Sequence, residues 1–231
     1  MLGAVLAAIT IPGHLWGLRG PWPDHTPDPG ESPEASHAPA RIVRGRPFIT
    51  LVLAFALTTF AAFAVVINLV PLLTERGVSA GSAAVVLGLG GVGQVLGRLG
   101  YAPLTRRFSV RGRSLLVLLA VAATTALLGL LTSLAALIAA AVVAGMARGA
   151  LTLLHATAIT DRWGAANYGH LNGMLSAPLT ITIALAPWAG AALAGVLDGY
   201  SPMFLVLAAI TLVGAALGMA STPRPSVRRY T

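Results

Sequence analysis

The sequence predicts an all-α membrane protein with seven transmembrane helices, and three observations carry that prediction. The chain of 231 residues is 56% hydrophobic but only 10% charged, where a soluble domain carries about 25% charged residues. Its apolar residues are not scattered. They form seven runs separated by short polar joints, as the bilayer requires when about twenty apolar residues must cross its hydrocarbon core. The arginines, finally, lie mostly in alternate joints.

The first span covers residues 1–18 and is short, with Pro12, Gly13 and His14 inside it. A linker follows over 19–47. Six prolines in the nineteen residues from Pro21 to Pro39 make it extended and unstructured in expectation. A six-helix bundle is expected over 48–220. Its spans run from about Phe48 to Leu73, Gly81 to Ala102, Ser114 to Thr132, Leu134 to Ile159, His170 to Ala194 and Pro202 to Ala220. The tail is 221–231. The span from Gly81 is rich in glycine, and Gly93 and Gly97 form a G-x-x-x-G pair that lets another helix approach closely. Pro178 and Pro187 can loosen the span from His170, since each lacks an N–H.

Alternation of the spans gives an independent check. One set of joints holds Arg19, Arg41, Arg44, Arg46, Arg106, Arg107, Arg111, Arg113, Arg162, Arg224, Arg228 and Arg229, and the other set holds only Arg76. Twelve against one is a strong positive-inside bias. It places the C-terminus in the cytoplasm and the N-terminus outside a cell membrane.

Composition also excludes chemistry. All fifteen basic residues are arginine, so no lysine can form a Schiff base, and there is no cysteine for disulfide, thiol or Cys–metal chemistry. The net charge of +8 does not signal nucleic acid, because the arginines that produce it serve membrane orientation. His25 and His37 lie among Asp24, Asp28, Glu31 and Glu34, but nothing in that linker fixes ligand geometry, and a solvated segment is the expected reading. No H-E-x-x-H, G-x-S-x-G or intramembrane acid pair is present. Neither an enzyme nor a metal site nor a resident cofactor is expected.

Two of the fifteen arginines lie inside spans, Arg98 and Arg148. A guanidinium at mid-membrane costs about 2.5–3.5 kcal/mol on insertion scales and so needs water or a partner. Thr152 and His155 follow Arg148 at four and seven residues, on one helix face. That polar stripe suggests a wet cavity. Arg148 is expected to bind an anionic substrate such as a carboxylate, against the competing reading of an arginine that caps backbone carbonyls. For His155, hydrogen-bonded packing leads over a proton shuttle. Gln94 sits near mid-depth and either lines a cavity or bonds a neighbouring helix. Asn172, Ser176 and Thr180 recur at four-residue spacing, with helix packing ahead of ligand contact, and Asn68 lies near an outer span end. These eight are the candidate site residues.

Gly97, Arg98 and Gly100, then Arg106, Arg111, Gly112 and Arg113, look like a copy of the cytoplasmic-loop motif G-x-x-x-D-R-x-G-R-R, with Thr105 where the acid is expected. With the order of one helix, a long linker and six helices, the chain resembles the C-terminal half of a major facilitator superfamily transporter, from the sixth to the twelfth helix. The joint of Asp161, Arg162, Trp163 and Gly164, with Tyr168, Gly169, Asn172 and Gly173, is similar to that of the monocarboxylate and oxalate/formate branch. The resemblance implies two halves that rock about a central cavity. Spans two, three, five and six of this chain would line it.

The resulting expectation is a secondary transporter of half length, moving a small, monocarboxylate-like solute by alternating access. It would be coupled to a proton or another ion if any coupling exists. Its partners would be the lipid bilayer, the solute, and either a missing N-terminal half or a second copy of the chain. Three alternatives stay open: a truncated, non-transporting membrane protein, a drug or metabolite efflux carrier, and a seven-helix receptor.

Overall fold

A computed structural model describes residues 11–12, 38–165 and 167–221. By their contacts the residues fall into two units, 1–37 and 38–231, and only the second is described at length. The expected first span, most of the linker with its His25 and His37 cluster, and the tail beyond Ser221 lie outside the described residues.

Among the described residues there are helices and no strands. A short helix α1, Ala38–Val43, lies within the stretch expected to be extended. Six helices are long and apolar enough to cross a membrane, by length and composition. They are α2 (Arg46–Glu75), α3 (Ala80–Leu99) continued by the short α4 (Tyr101–Arg107), α5 (Val110–Leu130), α6 (Leu134–Thr157), α8 (Tyr168–Val196) and α9 (Tyr200–Met219), with the four-residue α7 (Thr160–Trp163) before α8. Twenty residues already span about 30 Å, so each long helix matches the hydrocarbon core.

The helix starts have local causes. Pro47 sits in the first turn of α2, where its missing N–H costs no hydrogen bond. Serines cap α3, α5 and α6: Ser79 accepts from the Ser82 N–H, Ser109 from Gly112 and Ser133 from Ala136. Polar side chains inside the bundle bond their own helix. Thr58, Thr124, Thr211 and Asn68 all donate to the carbonyl four residues back, which removes the penalty of an unpaired group in an apolar interior.

Numbered one to six in chain order, the spanning helices pair second with fourth (α3 with α6), third with sixth (α5 with α9), first with sixth (α2 with α9), first with fifth (α2 with α8) and third with fourth (α5 with α6). Exchanging one with four, two with five and three with six maps these pairs onto themselves, the pattern of an inverted repeat. The α3–α6 contact is the most extensive. A side chain added at Gly93 or Gly97 would strike the backbone of Val142 or Met146, and one at Gly145 or Gly149 would strike that of Gly90 or Gln94. Small residues on both helices thus bring backbone against backbone. The pairings ascend together along both chains, so α3 and α6 run parallel.

Polar clasps close the two ends of the bundle. At one end Arg76 donates to the carbonyls of Leu128 (2.9 Å), Gly129 and Leu131 at the C-terminus of α5, and to the Ser201 hydroxyl (2.8 Å). Its neighbour Glu75 accepts from the Tyr200 N–H at the start of α9 (2.9 Å). Partial burial lowers the Arg76 pKa, and Glu75 opposes that shift. At the other end Arg113 pairs with Asp161, and Arg162 donates to Ala158 O, Ser114 Oγ and Ser221 Oγ, each at 3.2 Å. Burial pushes the Arg162 guanidinium down to about 10, with Asp161 opposing the shift and Arg113 reinforcing it. The group is therefore still a cation at neutral pH.

Candidate functional site

A cavity of about 460 Å³ opens among α2, α3, α6 and α8. Each helix contributes one face to it. On α6 the face is Arg148, Leu151, Thr152 and His155; on α3 it is Leu87, Gly91, Gln94 and Arg98; on α2 it is Thr59, Ala62, Phe63 and Val66; α8 adds Leu179 and Ile183. Spacings of three and four residues keep each set on one side of its helix. The close α3–α6 seam brings Gln94 and Arg98 beside Arg148. Gly90 leaves room for the guanidinium, since a Cβ there would lie 3.4 Å from Arg148 Nη2.

Three buried polar atoms have no hydrogen-bond partner among the described residues although they belong to cavity-lining side chains: Thr59 Oγ1, Arg148 Nε and His155 Nε2. Such atoms are costly unless water or a ligand satisfies them. The His155 ring meets Phe55 edge-on, with centroids 4.1 Å apart, so packing fixes its orientation. The Thr152 hydroxyl donates to Arg148 O at 3.0 Å and keeps lone pairs free to accept.

No acid faces this cavity among the described residues. Glu75 bonds Tyr200, Asp161 pairs with Arg113, and Asp198 sits in the turn before α9. The cavity therefore holds two arginines with no carboxylate to answer them. Arg148 is half-buried and Arg98 exposed, and guanidinium groups are geometrically selective donors to carboxylates.

Of the sequence candidates, Gln94, Arg148, Thr152 and His155 come together here. The others do not. Asn68 is buried at the α2–α8 contact, donates to Ala64 O at 2.8 Å and lies against Gly190. Asn172, Ser176 and Thr180 do not line the cavity; Ser176 and Thr180 are exposed, and Thr180 donates to Ser176 O at 3.0 Å. Two polar lining residues were not singled out as site candidates. Thr59 follows Thr58 in an otherwise apolar stretch and gives little signal. Arg98 was read as part of the loop motif, yet it follows Gln94 by four residues and so shares its face.

The loop-motif residues have separate places. Gly97 packs under Met146, and Gly100 joins α3 to α4. Arg106 is exposed in the last turn of α4, Arg111 lies in the first turn of α5, and the Gly112 N–H donates to the Ser109 cap. Thr105 donates to Ala102 O at 2.8 Å, and the carboxylate that meets Arg113 is that of Asp161. Among the described residues no group of three or more His, Asp or Glu could hold a metal ion.

A search of curated proteins returned no match. The sequence profile of the Major Facilitator Superfamily matches residues 49–230, which takes in the six spanning helices save the first three residues of α2, the α3–α5 joint and every cavity-lining residue. With that match over most of its length, the chain belongs to the Major Facilitator Superfamily, a family of membrane transporters.

Proposed function

We propose that the chain forms one wall of a secondary transporter that carries a small, monocarboxylate-like anion across a cell membrane by alternating access. Arg148, with Arg98 beside it, takes the anion's charge. The observation that carries this reading is the pair of arginines in a cavity without an acid among the described residues. An anion supplies the counter-charge that Arg148 lacks in the cavity among the described residues. Gln94 and Thr152 complete the polar lining, and the opposite wall comes from a second six-helix half, in a longer polypeptide or in a second copy. The arginine bias supports a cytoplasmic position for the Asp161 end of the bundle.

The test is counterflow of radiolabelled propanoate in proteoliposomes holding the full chain, as wild type and as Arg148→Ala. The wild type is expected to exchange label, with and without a pH gradient to read proton coupling. Removing the charge-assisted pair should slow exchange tenfold or more, since hydrogen bonds to charged groups are worth about 1.5–3 kcal/mol. Equal exchange by Arg148→Ala contradicts the role given to that residue. A silent wild type that still binds the anion favours a chain that does not transport by itself.

A further inference from the structure

On α5, the residues Leu116, Leu119, Ala123, Leu127 and Leu130 are exposed, and spacings of three and four residues keep them on one side of the helix. Gly112 begins the same face. The Phe108 side chain lies over it, 3.7 Å from where a Cβ on Gly112 would stand, and is itself 44% exposed. An apolar strip thus runs along α5 and ends in an aromatic ring at the α4–α5 joint. From the Ser109 cap to Leu119 the helix rises about 15 Å, the depth of one leaflet's hydrocarbon. The charges at the head of the strip have one sign. Arg106 and Arg107, in the last turn of α4, are exposed and directly precede Phe108. Neither makes a hydrogen bond or ion pair among the described residues. The acid described at this end of the bundle is Asp161, and Arg113 takes it.

We propose that this joint binds an anionic phospholipid, whose phosphate pairs with Arg106 and Arg107 and whose acyl chain lies along Phe108, Leu116 and Leu119. The site is separate from the cavity, whose lining contains none of these residues. Membrane orientation accounts for arginines in this joint, but it does not account for Phe108. An exposed ring is unfavourable in water and favourable at the boundary between headgroups and acyl chains, where lipid covers it. A zwitterionic headgroup would bring its own cation to two adjacent guanidinium groups, whereas a headgroup of net negative charge answers both. A soluble phosphate would meet the guanidinium groups and leave Phe108 and the strip without a part in its binding. A phospholipid with a net negative charge uses the arginines, the ring and the strip together.

The experiment is quenching of tryptophan fluorescence by brominated phospholipids in nanodiscs that hold the full chain. Phe108→Trp is the reporter, Leu212→Trp on the exposed face of α9 is the control, and the wild-type signal is subtracted for the chain's own four tryptophans. Brominated phosphatidylglycerol and brominated phosphatidylcholine are each titrated against their unbrominated counterparts and against one another. An arginine near the membrane surface is worth about fivefold in affinity for an anionic lipid, so the Phe108→Trp reporter should prefer phosphatidylglycerol about 25-fold. The Leu212→Trp control should show no preference beyond about twofold, since no described arginine lies beside it. Adding Arg106→Gln and Arg107→Gln should reduce the reporter to the control's level, with helical circular dichroism confirming that each variant is folded. An excess of glycerol 1-phosphate should leave the preference unchanged. A reporter that neither brominated lipid quenches, or one with no more preference than the control, overturns the site. A preference that survives the loss of both arginines overturns their assignment. Displacement by glycerol 1-phosphate overturns the lipid in favour of a soluble phosphate.

Discussion

Replacing Gly149 by alanine puts the α3–α6 seam to a quantitative test. The new Cβ would strike the Gln94 carbonyl, with the carbonyl carbon at 3.0 Å and Arg98 N at 3.1 Å. Unstrained carbon contacts need about 3.5–4.0 Å, and neither obstacle can rotate away because both are backbone. The helices must part by something on the order of 1 Å, which forfeits a quarter to a half of the dispersion energy across the widened gap. Overpacking of this kind costs about 1–3 kcal/mol, and the backbone obstacle places Gly149→Ala in the upper part of that range. Alanine regains about 0.8–1.0 kcal/mol of helix propensity, so the net loss is about 1–2 kcal/mol. Gly88→Ala is the control on α3, since nothing lies within 4 Å of its Cβ position; it shows only the propensity gain. The two variants should therefore differ by about 2–3 kcal/mol in reversible unfolding in mixed micelles, followed by tryptophan fluorescence and circular dichroism. A Gly149→Ala protein as stable as Gly88→Ala would refute the close-packed seam.

Asp161→Asn leaves Arg113, whose side chain is 7% exposed, without its counter-ion. The cost should be about 3 kcal/mol, the low end for a broken buried pair because the Asp161 side chain is itself 22% exposed, and adding Arg113→Met should recover part of it; micelle unfolding reads both. Arg76→Ala frees three carbonyls at the end of α5, and the expected loss is about 1–2 kcal/mol after discounting for the residue's solvent exposure. Equal unfolding midpoints for Arg76→Ala and wild type would remove the clasp from the account. The chain has no cysteine, so single-cysteine variants report sidedness cleanly. Ala80→Cys should react with an impermeant maleimide on intact cells and Arg107→Cys only after lysis; the reverse pattern would invert the orientation.

The spans were legible because an apolar run of some twenty residues has few other fates, and because alternate joints carry the arginines. Arg148, Thr152, His155 and Gln94 were legible for a related reason: polar residues that recur on one face of an apolar helix must have something polar to face. Asn172, Ser176 and Thr180, for which helix packing was the leading expectation, do not line the cavity. Small hydroxyl and amide side chains can satisfy themselves on their own helix, as Thr180 does with Ser176 O and Asn68 with Ala64 O, so their spacing does not require a cavity. Arg98 was absorbed by a motif match although its offset from Gln94 placed it on the cavity face. The Arg113–Asp161 pair joins residues 48 apart in sequence, and nothing local announces it. The Arg76 clasp is similar, since a lone arginine in a short joint does not reveal which helix end it will cap.

The most direct test of the central claim is the arginine side-chain ¹⁵Nε–¹H spectrum of the full chain in nanodiscs during titration with hexanoate. The Arg148 signal is identified by its absence from Arg148→Lys. That signal should shift saturably with hexanoate and stay unmoved with hexanol, as a carboxylate pairs with the guanidinium that lines the cavity. Saturable shifts confined to other arginines, or an Arg148 signal that hexanoate does not move, would contradict the account.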